Sequence, residues 1–141
     1  MFYGQHRHGI DEKGRIIFPA KFRELLGEKF YITVGLDSCL QVYPEGEWKQ
    51  LEYKIKSLPM SSGGEIQRFF FTNTTDASFD KQVRVLIPSN LRAYAKLDKE
   101  VVIAGISNRL EIWDAGAFDS QSNVAAINPD DVAQKMLALG I

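Results

Sequence analysis

The 141-residue sequence is poor in the residues from which catalytic and metal sites are built, with one cysteine and two histidines. Cys39 alone excludes a disulfide within the chain, and its place between two predicted strands favours a small buried or semi-exposed thiol over a nucleophile. His6 and His8 have no cysteine or carboxylate companion, so no metal site is predicted. Because no spacing of His, Cys or paired carboxylates forms an acid–base or nucleophilic site, we predict no enzyme, catalytic residue, cofactor or small-molecule substrate.

Long apolar runs are also missing. No run approaches the roughly 20 residues that cross a bilayer, and residues 1–8 lack the apolar core of a signal peptide. The composition, 45% hydrophobic and 25% charged, is that of a soluble globular protein. We therefore expect a cytoplasmic protein that does not contact the membrane.

Residues 9–23 recur at residues 78–92. At an offset of 69 residues the two stretches share an acid, an arginine four residues later, three apolar residues, a proline and a second arginine. The matching pairs are Asp11 and Asp80, Arg15 and Arg84, Pro19 and Pro88, and Arg23 and Arg92. The chain is a duplicated unit.

Each copy has a physical interpretation. An aspartate that opens a tight turn accepts hydrogen bonds from backbone N–H groups two or three residues later, and Gly14 supplies the positive φ that such turns often need. A short strand follows at residues 16–18 and 85–87, and the proline ends it and starts a helix. The basic side chains of the turns, Lys13, Arg15, Lys81 and Arg84, are left at exposed tips.

The repeat extends through a hairpin and a helix in each half. We expect a first repeat at 1–57, a linker and helix at 58–73, a second repeat at 74–122 and a C-terminal helix at 123–141. Halves of about 70 residues are short of core, which favours interleaving them into one domain.

Three helices carry specific signals. A helix from Pro19 to Leu26 should direct Phe22, Leu25 and Leu26 inward. After a linker at 58–64, Ser62 and Glu65 form a capping-box pattern that starts a second helix. Its run at 69–71 is expected to belong to the core, with part of the run buried against another subunit because three consecutive aromatic residues of a helix point in different directions. Asn128 should cap the acidic C-terminal helix, a plausible docking element.

The near-neutral charge of −1 hides two basic islands. Residues 1–23 and residues 79–96 each carry a net charge of +3, which leaves −7 on the rest of the chain. A local concentration of positive charge is the footprint of phosphate contact, whatever the total charge of the protein.

The turn 11–15 with the following Ile-Ile-Phe-Pro, together with its second copy, resembles the MraZ family of bacterial transcriptional regulators. The resemblance covers essentially the whole chain. It implies an α+β fold, mainly β with short helices: the pseudo-twofold swapped-hairpin β-barrel shared with AbrB-type regulators, here from two tandem repeats. The second turn has Gln82-Val83 where the family usually has glycine before the arginine. Since valine disfavours positive φ, we expect that turn to differ and to present Arg84 differently.

The resemblance also implies a function. It places Lys13, Gly14, Arg15, Lys81 and Arg84 on the DNA-facing side of a nucleoid-associated ring of several subunits, which binds direct repeats in the promoter of the division and cell-wall gene cluster. Arginine suits guanine recognition, so Arg15 is the leading candidate for base reading, followed by Arg84. Asp11 and Asp80 are expected to hold the turns. Secondary candidates for phosphate contact are Arg7, Lys21, Arg23 and Arg92.

Two alternatives stay open. Each turn arginine could simply form a salt bridge with its aspartate, although an exposed pair contributes only about 0–1 kcal/mol and explains poorly why the pattern occurs twice. The protein could also be an antitoxin-like interaction module, ring-forming, whose basic turns bind an acidic protein partner instead of DNA.

Overall fold

A computed structural model describes all residues, 1–141, as eight β-strands and six α-helices, which confirms the predicted α+β class. The first copy and the connecting helix contain β1 (Gln5–Gly9), β2 (Arg15–Ile17), α1 (Ala20–Leu26), β3 (Phe30–Val34), β4 (Leu40–Pro44), α2 (Glu45–Lys56) and α3 (Met60–Phe71). The second copy and the C-terminal helix contain β5 (Thr75–Ala77), β6 (Arg84–Leu86), α4 (Ser89–Tyr94), β7 (Glu100–Ile106), β8 (Arg109–Asp114), α5 (Ala115–Gln121) and α6 (Pro129–Ala138).

Six strands form one antiparallel sheet in the order β1-β7-β8-β4-β3-β5. The first strand of each copy pairs with a strand of the other copy, β1 with β7 and β5 with β3. In the centre, β4 pairs with β8 so that Gln41 lies opposite Glu111. The counterparts in the two copies are β1 and β5, β3 and β7, and β4 and β8. Exchanging counterparts turns the strand order into its reverse, so a pseudo-twofold axis passes between β4 and β8.

The remaining strands, β2 and β6, form a two-stranded antiparallel ribbon. Ile16 lies opposite its counterpart Val85, while Arg15 faces Leu86 and Ile17 faces Arg84. This register is symmetric about the Ile16–Val85 pair, so the pseudo-twofold relation extends to the ribbon. The two duplicated turns are thereby joined into one element.

Both copies contribute to one hydrophobic core. A cluster of 18 buried apolar residues contains Phe18 and Phe30 from the first copy and Val85 and Leu91 from the second. Ile16 and Val85 lie on the inner face of the ribbon, are fully buried and anchor the ribbon to this core. Burial of this kind contributes roughly 1.5–3 kcal/mol per large aliphatic side chain, so the position of the ribbon is set by its buried face.

Two helical details differ from the predictions. Leu25 is 45% exposed, because a seven-residue helix turns only the Phe22 and Leu26 stripe toward the core. Helix α3 begins at Met60 inside the expected linker, and no side chain caps its N-terminus. By contrast, Asn128 accepts a hydrogen bond from the backbone N–H of Asp130 at 2.9 Å, as predicted for the start of α6.

None of the six helices has the length and apolarity required for a transmembrane span.

Candidate nucleic-acid interface

The first turn is organised by the Asp11 carboxylate. One of its oxygens accepts hydrogen bonds from the backbone N–H groups of Lys13 and Arg15, both at 2.9 Å. The other accepts from Arg15 Nε at 2.7 Å. The backbone N–H of Gly14 donates to the Asp11 carbonyl at 2.9 Å, and Gly14 has a φ of 84°. A single carboxylate therefore fixes both the turn and the arginine that follows it.

The second turn repeats this geometry. Asp80 accepts from the backbone N–H groups of Gln82 at 2.8 Å and Arg84 at 2.9 Å, and from Arg84 Nε at 2.9 Å. Val83 occupies the position of the glycine with a φ of 58°. The expectation that Gln82-Val83 forces another conformation is therefore wrong, since the bonds to Asp80 hold valine in the left-handed region despite its strain.

A difference between the copies explains why only one turn contains glycine. A Cβ on Gly14 would collide with the Arg92 guanidinium, which packs over the first turn. The counterpart of Arg92 is Arg23, and its Nη1 instead donates to the Phe18 carbonyl at 2.5 Å. Val83 is 38% exposed. Position 14 is thus covered by the Arg92 side chain, which a larger residue would displace, whereas position 83 is open to solvent.

Both aspartates are held in the ionised form. The backbone N–H of Arg15 makes the largest contribution to lowering the pKa of the Asp11 carboxyl, and the arginine side chain adds to it. The backbone N–H of Arg84 does the same for the pKa of Asp80. Each negative charge is directed at donors of its own turn, which fits the predicted structural role of the two residues.

The ribbon has one buried and one exposed face. Side chains alternate along each strand, so Arg15 and Ile17 of β2 emerge on the same face as Arg84 and Leu86 of β6. Leu86 is 58% exposed and Ile17 is 37% exposed. The ribbon face, defined as these four residues, therefore carries two arginines and two apolar side chains.

Each arginine keeps one end of its guanidinium available. Arg15 and Arg84 use Nε for the salt bridges to Asp11 and Asp80, and neither Nη group makes a hydrogen bond within the protein. The salt bridges of the alternative interpretation are thus present. They leave four terminal N–H donors on each side chain, in a fixed orientation, for an external acceptor.

The turn lysines and the secondary candidates occupy different surroundings. Lys13 and Lys81 are exposed at the two turn tips and form no salt bridge. Lys21 places its Nζ 5.1 Å from the centroid of the Phe22 ring. Arg7 lies in β1 and pairs with Asp119 and Glu100. The ribbon and turns are brought together by the fold, whereas Arg7 is held elsewhere by acids.

Cys39 is buried, the first of the two environments expected for it. Desolvation raises the pKa of its thiol to about 12. The thiol is therefore protonated at neutral pH and is a packing residue, since only a thiolate is a strong nucleophile.

Sequence reasoning missed Ile17 and Leu86 as surface residues. The apolar runs 16–18 and 85–87 predict strands but do not by themselves say which residues face outward. A strict alternation of faces, with Ile16 and Phe18 inside, was the signal that would have placed Ile17 outside.

The fold and the ribbon define a class: a small duplicated α+β protein in which two aspartate-held arginines share one exposed β-ribbon. Residues 1–65 and 70–139 match the family model described as "MraZ protein, putative antitoxin-like". A protein of Acetivibrio thermocellus and one of Halothermothrix orenii, both named transcriptional regulator MraZ, are 48% and 50% identical over 143 residues, covering 100% of both chains. A protein of the same name from Desulforamulus reducens is 48% identical over 141 residues, covering 99% of each. The chain belongs to the MraZ family.

Proposed function

We propose that the protein is a sequence-specific DNA-binding transcriptional regulator and that the ribbon face reads DNA. The observation that carries the proposal is the placement of Arg15 and Arg84 on one face of the ribbon, each oriented by its own aspartate and with its side chain 25% exposed. The relatives named as transcriptional regulators support the biological role.

The dimensions of the ribbon fit the major groove. That groove is about 12 Å wide and admits a two-stranded β-ribbon. Arg15 lies diagonally across from Arg84, a relation that separates residues by roughly 7–8 Å in an antiparallel pair. Successive base pairs are stacked about 3.4 Å apart, so the two arginines are spaced by about two base-pair steps.

Each side chain of the interface has a chemical role. The Nη donors of Arg15 and Arg84 suit guanine O6 and N7, and the apolar Ile17 and Leu86 suit the methyl group of thymine. Lys13 and Lys81 flank the face at the turn tips, where a lysine serves as a phosphate anchor. The face therefore favours a site that combines guanines with neighbouring thymines.

Arg92 and Arg23 are second-rank phosphate contacts. Arg92 packs against the first turn and so lies next to the ribbon face. Arg23 has one Nη bonded to the Phe18 carbonyl, and Lys21 precedes it in the same helix. Arg7 contributes least to the proposal, because Asp119 and Glu100 already neutralise it.

Repetition of the face supplies affinity. One ribbon buries little surface on its own, but several ribbons on linked subunits bind a row of equal sites at high effective concentration. This reasoning favours a homo-oligomeric ring on direct promoter repeats, and the family resemblance points to the promoter of the division and cell-wall genes. A DNA partner also implies a cytoplasmic, nucleoid-associated protein.

The test is fluorescence-anisotropy binding to the protein's own upstream promoter and to a scrambled duplex across a salt series. Arg15→Ala should reduce the preference for the promoter, at a cost of about 1–3 kcal/mol per guanine contact, or roughly 5- to 150-fold in Kd. The matched control is Lys54→Ala, which changes an exposed lysine on α2 and should leave the Kd for the promoter and the Kd for the scrambled duplex unchanged. Binding that is equally weak for both duplexes and is lost as the salt concentration rises would refute the proposal and favour an acidic protein partner.

A further inference from the structure

Helix α6 has an exposed apolar stripe. No residue of the helix is buried, and Val132, Met136 and Leu139 of the stripe are 41%, 42% and 76% exposed. Val132, Met136 and Leu139 recur along one side at helical spacing. An isolated helix of 10 residues is marginal in water, because helical stability in proteins comes mostly from packing. The helix therefore needs a surface to cover its stripe.

Helix α3 borders an open apolar groove of about 670 Å³. Its apolar lining comes from Leu36, Ile66, Phe69 and Phe70, and its rim carries Glu65 and Arg68. Leu36 is 78% exposed and Ile66 is 43% exposed. The groove is thus an uncovered surface in a chain that also has an uncovered helix.

The duplication makes α3 and α6 counterparts. Met60, the first residue of α3, and Pro129, the first residue of α6, are separated by the same 69 residues as the two turns. Each helix follows the last helix of its copy, α2 or α5. Only α3 continues into a strand and packs on its own copy. A molecule with pseudo-twofold symmetry thus has a groove from one copy and a free helix from the other.

We infer that α6 of one copy of the chain lies antiparallel in the α3 groove of a second copy. Charge selects this orientation, since it sets Asp131 of α6 beside Arg68 and Lys135 beside Glu65. At 1.5 Å per residue, Glu65 and Arg68 are about 4.5 Å apart along their axis, and Asp131 and Lys135 about 6 Å. The two spacings are close enough for both pairs to form, whereas a parallel helix would juxtapose like charges.

The contact is heterologous, because helix and groove are different surfaces of the same chain. After its first contact each copy still has either its groove or its helix free, so an assembly always carries one of each at its two ends. Growth therefore continues until the ends meet, and a rotation that closes gives a ring. The inference rests on the oligomeric part of the proposed function and names the interface that builds it. It does not involve the ribbon face, which remains open to DNA.

Mass measured by light scattering after size-exclusion chromatography tests the interface. The wild-type chain should form multimers, and Arg68→Glu should reduce the mass to that of one chain. Asp131→Arg added to Arg68→Glu should restore the multimer. Lys54→Glu, the same charge change on α2, should leave the mass unchanged. Circular dichroism checks that each variant is folded. Rescue by the second substitution cannot arise from misfolding.

Mixing distinguishes docking between copies from docking within one copy. Met136→Asp disables the helix and Ile66→Asp disables the groove, so each variant alone should be monomeric. Together they retain one intact helix and one intact groove and should form a pair that grows no further. A monomeric wild type, or multimers unaffected by Arg68→Glu and Met136→Asp, would overturn the inference.

The outcome is separable from that of DNA binding. Arg15→Ala should leave the mass unchanged, and monomeric Met136→Asp should keep its preference for a promoter duplex that contains one repeat. Loss of DNA recognition by Arg15→Ala with an unchanged mass therefore bears on the ribbon alone, and loss of the multimer alone bears on α6.

Discussion

Exchanging the residues at the left-handed positions of the two turns should have unequal effects on stability. Val83 has a φ of 58°, and a left-handed conformation costs an L-residue roughly 1–2 kcal/mol. Val83→Gly removes this strain but adds about 0.5–1 kcal/mol of chain entropy. We expect a net stabilisation of about 0.5–1 kcal/mol, equivalent to roughly 2–4 °C in Tm.

The reciprocal change, Gly14→Val, should cost more than the first change gains. It introduces the same strain and also displaces the Arg92 side chain from its packing over the first turn. Urea unfolding followed through the fluorescence of the buried Trp48 and Trp113 measures both free energies. A variant Val83→Gly that is less stable than the wild type, or a Gly14→Val that costs no more than the reverse change gains, would refute this account of the turns.

Other measurements address the charges and the ribbon. Because the pKa of Asp11 is lowered in the folded state, its stabilising contribution is present above the ordinary carboxyl pKa near 4 and is lost as pH falls through the lowered value. Asp11→Asn should therefore make the urea midpoint of unfolding depend less on pH in that range. A pH dependence equal to that of the wild type would contradict this. Lys13→Ala should weaken binding to promoter and scrambled duplexes equally and reduce the salt slope by about 1, and selective loss on the promoter would instead indicate base reading. Leu86→Ala should lower affinity for a thymine-containing promoter but not for the same duplex made with uracil, and equal losses on both would exclude a methyl contact.

The duplication was visible in the sequence, and much follows from it. The 69-residue offset identified both turns and their aspartates, because the acid, arginine and proline are required by local geometry and appear twice. The alternation of inward and outward side chains along the strand also predicts that Ile17 is exposed. What the offset could not supply was the pairing of β2 with β6, which depends on contacts between the two copies.

Two errors have identifiable physical causes. Gly63 and Gly64 are typical of a linker, but a Cβ on Gly63 would collide with Leu58, so Gly63 instead allows close packing at the start of α3, which begins at Met60. Val83 suggested a changed turn, because propensity alone disfavours it. The bonds made by Asp80 outweigh that preference, and the open surroundings of position 83 accept the side chain.

We propose that the arginines of the ribbon read guanine in the major groove. The most direct measurement is binding to the promoter duplex in which guanine is replaced by 7-deazaguanine, which lacks the N7 acceptor. Affinity of the wild-type protein should fall, whereas Arg15→Ala with Arg84→Ala should bind the normal and modified duplexes equally. Wild-type binding that is insensitive to the loss of N7, while the promoter is still preferred over the scrambled duplex, would contradict the account.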